Sequence, residues 1–242
     1  MKLLAVETAT QQQSVAILEG ATLLGRSDEA AQGNHAMKLI PMIDRLLQST
    51  GLRLADLDGL AVSIGPGSFT GLRVGLATVM GIRSVTGLPL AAVPTLDAMA
   101  WNVRQADRLL CPVLKARTRE VYWGFYRWAA GTLVQVAEER VGSIEAFAQS
   151  IEGPTVMLGD GWLNYGQDVQ RLLGDRAGDA IEASREAMAA SAVSVGLAGL
   201  ERLARGEVAG RGLAPRYVQR AEAEIAWQRR VAAAQSVGGE RP

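Results

Sequence analysis

The sequence predicts an α/β protein made of two lobes, and three observations support that prediction. Three short strand-like segments come first, and the rest of the first 107 residues alternates between helix and strand. A second series of three strand-like segments begins near residue 109 and is again followed by alternation. A glycine-rich turn at residues 65–71 joins a buried strand to a long apolar helix. We therefore expect one lobe at residues 1–107 and a second at residues 108–242, ending in a loosely held tail.

The strand and helix signals of the first lobe follow the order β-β-β-α-β-α-β-α. Strands are predicted at residues 3–7, 14–18, 22–26, 59–64 and 89–93, and helices at 35–50, 72–85 and 96–103. Pro41 lies inside the first of these helices, where its missing N–H predicts a bend. This order of elements is that of a ribonuclease-H-like lobe.

The second lobe shows the same succession in a different sequence. Strands are predicted at residues 110–115, 120–128, 132–141 and 155–158, and helices at 144–151, 162–173 and 189–204. No sequence repetition connects the two halves. The succession alone predicts that the plan of the first lobe is used twice.

Composition excludes several classes of protein. The 25 basic and 25 acidic residues balance, so the chain has no overall field for nucleic acid or a membrane. Cys111 is the only cysteine, which excludes an intramolecular disulfide and fits a reducing compartment. The apolar residues 3–6 are stopped by Glu7 and are too few for a signal peptide. The apolar run between Arg73 and Arg83 is too short to span a membrane, so we expect a soluble, cytoplasmic protein.

The glycine-rich turn has two interpretations. It is either an anion-binding cradle formed by Gly65, Gly67 and Ser68, or a turn whose glycines let a helix and a strand pack closely. A phosphate-binding loop would need a lysine after its last glycine, and a dinucleotide loop would need a spacing that differs by one residue. The spacing therefore favours the packing turn, with Ser68 or Thr70 capping the helix that follows.

That central helix has apolar residues on more than one side. Gly71, Gly75, Thr78, Ile82 and Val85 are predicted to face the sheet, and Leu72, Leu76 and Met80, flanked by Arg73 and Arg83, to form an outer ridge. Either a further layer of this chain or a partner protein covers such a ridge, and we predict a partner. The apolar face of the preceding helix is assigned to the same surface, through His35, Leu39, Met42, Ile43 and Leu46.

No catalytic or metal-binding set is predicted. His35 is the only histidine and Leu39 follows it at i+4, so the helical pair of histidines that holds a metal is absent. Ser68 does not lie in a Gly-x-Ser-x-Gly turn. Glu7 ends the first strand where a ribonuclease-H nuclease has a carboxylate, but no carboxylate ends the neighbouring predicted strands.

The actin and sugar-kinase version of this fold holds ATP between two hairpin turns, one from each lobe. Glu7, Thr8 and Thr10 fit the first turn, while the second turn offers Lys115 and Arg117 but no carboxylate for a metal. These cations fit either a phosphate contact or a solvated turn, and the solvated turn is the preferred interpretation.

Several strings of residues resemble one family specifically. They are LAVETAT at 4–10, NH at 34–35, LIPM at 39–42, GPGSFTGLRVG at 65–75, AR at 116–117, EVYW at 120–123, GDGW at 159–162, PRYV at 215–218 and AW at 226–227. In this order, and over nearly the whole chain, they resemble the TsaB (YeaZ) family. The string at 65–75 is the most specific of them.

The resemblance implies a fold of the actin-like ATPase (ASKHA) superfamily and a bacterial subunit of the machinery that makes threonylcarbamoyladenosine at position 37 of tRNAs reading A-starting codons. It implies a non-catalytic paralogue of TsaD that pairs with TsaD through N-lobe helices, is joined by TsaE, and meets tRNA through the complex. ATP and a metal are then expected in the partner subunits, and none on this chain alone. Lys115 stands where relatives usually have aspartate, which weakens the case for Mg-ATP binding here. The chain in isolation is either a homodimer or a monomer. The alternative function is that of an autonomous ATP-dependent enzyme or peptidase of the actin-like ATPase fold.

Overall fold

The structure is a computed structural model that describes residues 1–30, 35–104 and 107–218, without the side chains of residues 35–37. The first sheet contains β1 (Lys2–Glu7), β2 (Gln12–Glu19), β3 (Thr22–Ala30), β4 (Gly59–Ser63) and β5 (Leu90–Val93). Their order is β3-β2-β1-β4-β5, with the first three strands antiparallel and the last two parallel to β1. The carboxyl ends of β1, β4 and β5 therefore meet at one edge.

The second sheet repeats this arrangement strand for strand. It contains β6 (Leu109–Lys115), β7 (Glu120–Ala129), β8 (Thr132–Ser143), β9 (Thr155–Leu158) and β10 (Ala180–Glu182), in the order β10-β9-β6-β7-β8. The predicted α/β fold and the repeated plan are thus confirmed. Only β10 has no counterpart among the predicted strands, because three residues are too few to show a period.

Six α-helices complete the described part of the chain. They are α1 (His35–Thr50), α2 (Phe69–Thr86), α3 (Thr95–Ala100), α4 (Ile144–Gln149), α5 (Asp160–Leu173) and α6 (Ala192–Ala204). α2 begins before its predicted first residue because Ser68 Oγ accepts a hydrogen bond from the backbone N–H of Gly71. It ends at Gly87, which has a left-handed φ of 71°. Among the described residues, no helix has the length and apolar character needed to cross a membrane.

The two faces of the first sheet are covered by different helices. Leu4 and Val6 belong to a core that includes residues of α1 and α2, whereas Leu3 and Ala5 point to the opposite face. That opposite face belongs to a second core, which continues without a break into the second sheet. The lobes are therefore joined by apolar packing as well as by the chain.

α6 packs on the first sheet and belongs to the first lobe. The prediction that all of residues 108–242 form the second lobe is wrong in this respect. Gly196 packs on Leu18, and Gly199 packs on Ala61. A side chain at either glycine would overlap the sheet, so the small residues of α6 allow its close approach. Sequence periodicity shows that a helix has an apolar face but not which of two sheets that face covers.

The prediction that the apolar residues of α2 form an exposed ridge is also wrong. Leu72 is 1% exposed and Leu76 is 6% exposed, although Met80 is half-buried and Arg73 is exposed. At about 100° per residue, Leu72 lies beside Gly71 rather than opposite it, so both residues face inward. Val85, predicted to face the sheet, is 84% exposed.

The covering layer over α2 comes from this chain, because α1 packs beside it. Leu39, Met42, Ile43 and Leu46, predicted to meet a partner, are buried in the core of the first lobe. The side chain of His35 lies outside the described residues, and so does the predicted tail from residue 219 onward.

Candidate functional site

A cleft of about 770 Å³ separates the two lobes. The first lobe lines it with Thr10 and Gln11, from the turn after β1, and the second lobe lines it with Asp160, Leu163 and Met188. A second cavity of about 320 Å³ shares part of this lining and adds Gly67, Ser68 and Lys115. The two predicted turns therefore face each other across the cleft. Of the predicted contact residues, Thr10, Gly67, Ser68 and Lys115 line these cavities, whereas Glu7, Thr8 and Gly65 do not.

Glu7 is fully buried at the end of β1. Its Oε1 accepts a hydrogen bond of 2.5 Å from the backbone N–H of Ala9. Burial raises the pKa of Glu7 to about 7, although hydrogen bonds from the Ser63 hydroxyl and from the backbone of Ala9 and Thr10 act in the opposite direction. The carboxyl group of Glu7 thus uses the backbone donors of the turn that would otherwise be free to hold an anion.

Thr8 holds the same turn against α2. Its Oγ1 donates to the carbonyl oxygen of Gly71 at 2.8 Å. A Cβ atom at Gly71 would overlap the carbonyl oxygen of Thr8, and one at Gly67 would overlap the carbonyl oxygen of Ala9. The N–H of Ser68 also donates to Ala9 O at 2.7 Å. These contacts confirm that the glycines form a packing turn, as their spacing predicts.

The turn of the second lobe is closed in a related way. The backbone N–H of Lys115 donates to Oδ1 of Asp160 at 2.9 Å. Asp160 is the first residue of α5, and burial raises its pKa while the N–H groups of Lys115 and Gly161 lower it. Asp160 is a cleft residue that sequence reasoning missed. The Gly-Asp-Gly string after a buried strand was the available signal, because it occupies the position that residues 65–68 occupy in the first lobe.

Two backbone donors of these turns are not free to hold the phosphates of a nucleotide. An anion site needs backbone N–H groups that point at the ligand without another acceptor. Here the N–H of Ala9 is bonded to Glu7 and the N–H of Lys115 to Asp160. Each acceptor is a carboxylate, which repels phosphate when ionised. Within residues 1–30, 35–104 and 107–218, no cluster of three or more histidine, cysteine, aspartate or glutamate side chains is placed to hold a metal.

A second candidate site lies on the outside of the first lobe. α1 and α2 run side by side, and each presents exposed residues at helical spacing: Ile40, Asp44 and Gln48 on α1, and Arg73, Ala77, Gly81 and Ser84 on α2. We call these seven residues the α1–α2 face. Ile40 is 63% exposed, and the space around Gly81 is open. Small residues along α2 leave room for a partner helix to approach.

α2 carries two arginines here, Arg73 within this face and Arg83 near the end of the helix. Arg73 contacts the rings of Phe69 and Tyr217, and Arg83 donates to the carbonyl oxygen of Gly210. In the described part of the chain, neither guanidinium pairs with a carboxylate. Both therefore keep a donor set suited to an acidic partner.

Comparison with known proteins agrees with the fold and with the motifs. The family model described as TsaD, tRNA N6-adenosine threonylcarbamoyltransferase, matches residues 25–227. A TsaB protein of Bacillus subtilis is 27% identical over 230 residues, which are 94% of this chain and 98% of that protein. A TsaB protein of Escherichia coli is 33% identical over 171 residues, covering 67% of this chain and 72% of that protein. Both carry the name tRNA threonylcarbamoyladenosine biosynthesis protein.

Solved structures give the same result. YeaZ from Pseudomonas aeruginosa superposes with a TM-score of 0.75 at 30% identity, over 89% of this chain and 99% of that one. A ROK hexokinase from Thermus thermophilus, at a TM-score of 0.54 and 13% identity, shares the fold alone, which is that of the actin-like ATPase superfamily. The repeated sheets, the glycine-rich string at residues 65–75 and these similarities together place the chain in the TsaB (YeaZ) family.

Proposed function

We propose that this protein is a non-catalytic subunit of the machinery that makes threonylcarbamoyladenosine at position 37 of tRNAs reading A-starting codons. It pairs with the catalytic subunit TsaD, and the ATPase TsaE joins the pair. ATP and a metal are used on the partner subunits, and tRNA is met through the complex. The names of the TsaB relatives and the match to the TsaD family model support the pathway.

The proposal that this chain is not itself catalytic rests on one observation, which is that its own carboxylates close both turns of the cleft. Glu7 and Asp160 take the backbone donors that a phosphate would need. Catalysis of phosphoryl transfer depends on such donors and on bound cations to stabilise the charge of the transferred group. A chain whose donors are already bonded to carboxylates is suited to support a catalytic partner rather than to act alone.

The α1–α2 face supports the proposed pairing with TsaD. Its members lie on two long helices that are fixed on the sheet by buried leucines and methionines beneath them. A partner helix laid along Ala77 and Gly81 would bury the side chain of Ile40, which is now largely in water. The same face is the one on which two copies of this chain would pair in the absence of TsaD.

Reconstitution tests this proposal. Modification of adenosine 37 in an unmodified tRNA is measured by nucleoside mass spectrometry with this chain, TsaD, TsaE and the activated threonylcarbamoyl donor, each omitted in turn. We expect no product without TsaD and a large loss of product without this chain. ATP turnover or peptide cleavage by the purified chain alone, abolished by Glu7→Gln, would instead support the autonomous enzyme.

A further inference from the structure

After α6, the chain returns along α2 as an extended segment, residues 207–217, which we call the strap. The N–H of Ala209 donates to Leu90 O at 2.8 Å, at the edge of the first sheet. The N–H of Arg216 donates to Ile64 O at 2.7 Å, just after β4. Arg83, near the end of α2, donates to Gly210 O at 3.1 Å. The strap is therefore fixed to the first lobe at both of its ends.

The last part of the strap is held at the start of α2 by a cluster of three side chains, which we call the clasp: Phe69 and Arg73 of α2, and Tyr217 of the strap. The rings of Phe69 and Tyr217 stack with centroids 5.1 Å apart. The Arg73 guanidinium lies 3.8 Å from the centroid of Phe69, and its Nε donates to the Tyr217 hydroxyl at 3.0 Å. Arg73 thus contacts the strap while it also belongs to the α1–α2 face.

Arg216, next to the clasp, reaches across to the second lobe. Its Nη1 lies 3.1 Å from Oε2 of Glu139 on β8. The Glu139 side chain is only 1% exposed, and its Oε1 accepts a 2.8 Å hydrogen bond from the Tyr126 hydroxyl. A cation in contact with it stabilises a carboxylate buried to this degree, and removing that cation is costly. Arg202, the other nearby cation, already pairs with Asp97 and Glu207.

We propose that the ion pair of Arg216 with Glu139, which we call the latch, fixes the lobes relative to each other. Arg73, on the α1–α2 face, controls the latch by holding Tyr217 at the end of the strap. The strap belongs to the first lobe and Glu139 to the second, so the ion pair holds only at one separation of the lobes. A partner that presents a carboxylate to Arg73 competes with the Tyr217 hydroxyl and loosens the end of the strap. The role assigned to a partner rests on the proposed function, whereas the latch itself does not.

The latch is tested by measuring the distance between the lobes in the free protein. Spin labels are attached to Gln48→Cys on α1 and Leu172→Cys on α5, both at exposed positions. Cys111 stays unlabelled because it is fully buried and burial raises the pKa of its thiol. Distances are read by double electron–electron resonance in the labelled protein and in its Arg216→Ala variant.

We expect Arg216→Ala to raise the population of long distances about tenfold, which corresponds to about 1.4 kcal/mol. Arg211→Ala, which removes an exposed arginine of the same strap, is the control and should leave the distances unchanged. The double variant Arg216→Ala/Glu139→Gln should be no more open than Arg216→Ala, because the two changes break one interaction. If Arg216→Ala fails to fold, Arg216→Lys, which keeps the charge but loses the guanidinium geometry, is used in its place.

The role of Arg73 is tested in the same free protein, so that no result depends on whether TsaD binds. Arg73→Ala should shift the distances in the same direction as Arg216→Ala, by a smaller amount. Distances in Arg216→Ala that superpose on those of the unchanged protein would overturn the latch. An effect of Arg216→Ala without any effect of Arg73→Ala would overturn the coupling to the α1–α2 face.

Discussion

In the first lobe the chain leaves β4 through a glycine turn that presses against the turn after β1. In the second lobe it leaves β9 through Gly159, which presses in the same way against Val113 at the end of β6. We call each of these strand-to-helix turns, together with the turn it packs on, a corner. The side chains at the two corners differ. The first has a buried Glu7 and the hydroxyl cap of Ser68, whereas the second has an exposed Lys115 and the carboxylate of Asp160.

The two lobes therefore share the close packing of backbone on backbone at these turns, but not the chemistry of the side chains. Glycine is required wherever a Cβ atom would meet a carbonyl oxygen, and this requirement is the same in both lobes. The side chains that close the corners are under no such common constraint. They reach the same result, a turn whose donors are satisfied internally, with different groups.

The largest expected effect comes from filling the packed corner of the first lobe. Gly71→Ala places a Cβ atom against the carbonyl oxygen of Thr8, and we expect a loss of more than about 3 kcal/mol in the free energy of unfolding. Gly81→Ala is the matched control in the same helix, because the space around Gly81 is open. That change should stabilise the protein by up to about 1 kcal/mol. Urea denaturation of both variants measures the difference, and equal effects would disprove the packing role of the corner.

The next prediction concerns Glu7, the buried carboxyl group at the end of β1, whose counterpart at the end of β6 is the exposed Lys115. Because burial raises the pKa of Glu7 to about 7 from an ordinary value of 4.5, the folded protein binds the proton more tightly than the unfolded chain. The stability from this group is fully present below pH 4.5 and is lost as the pH rises through 7. Across that window we expect a loss of about 3 kcal/mol relative to Glu7→Gln.

The effect is measured as the free energy of unfolding of the unchanged protein and of Glu7→Gln between pH 4.5 and 8. Subtracting one curve from the other removes the pH dependence of the titratable groups that both proteins share. The Glu7→Gln curve should be the flatter of the two. Parallel curves would show that Glu7 ionises in the folded protein as it does in water.

Smaller effects are expected from the groups that close the corners. Asp160→Ala removes the acceptor of the N–H groups of Lys115 and Gly161, and should cost about 2 kcal/mol. Ser68→Ala removes the neutral cap of α2 and should cost about 1 kcal/mol. Thermal melting of both variants ranks them. A larger cost for Ser68→Ala than for Asp160→Ala would contradict this ranking.

Much of this fold could be predicted from sequence, because its elements carry strong local signals. α1 and β9 have their predicted ends, and every other predicted strand and helix occurs with its ends shifted by a few residues. The sequence predicts a cap for α2 at Ser68 or Thr70, because capping depends on neighbouring residues only, and Ser68 is the cap in the structure. The packing role of the glycines followed from their spacing.

The features that were missed depend on which surfaces meet. Leu72 and Leu76 have the pattern of a partner-binding ridge, and only the folded structure shows that they are buried within the chain. α6 and the strap lie far along the sequence from the first sheet, and the ion pair of Arg216 with Glu139 joins residues whose proximity no local pattern encodes. Asp160 was missed because its importance depends on the turn across from it.

The last comparison is between the outer helices of the two lobes. The first lobe has α1 with 16 residues and α2 with 18, whereas the second has α4 with six and α5 with 14. We place the partner on the longer pair of helices, α1 and α2. Ala77→Glu on α2 and Leu172→Glu on α5 make a matched test, because each puts a carboxylate on an exposed helix position.

The affinity of these two variants for purified TsaD, measured by calorimetric titration, shows whether the partner binds the first lobe. Both should fold as the unchanged protein does by circular dichroism. We expect Ala77→Glu to weaken binding at least about tenfold, since an unpaired charge enters a closed interface, and Leu172→Glu to bind unchanged. Unchanged binding by Ala77→Glu, or a loss confined to Leu172→Glu, would contradict the assignment of the partner surface to the first lobe.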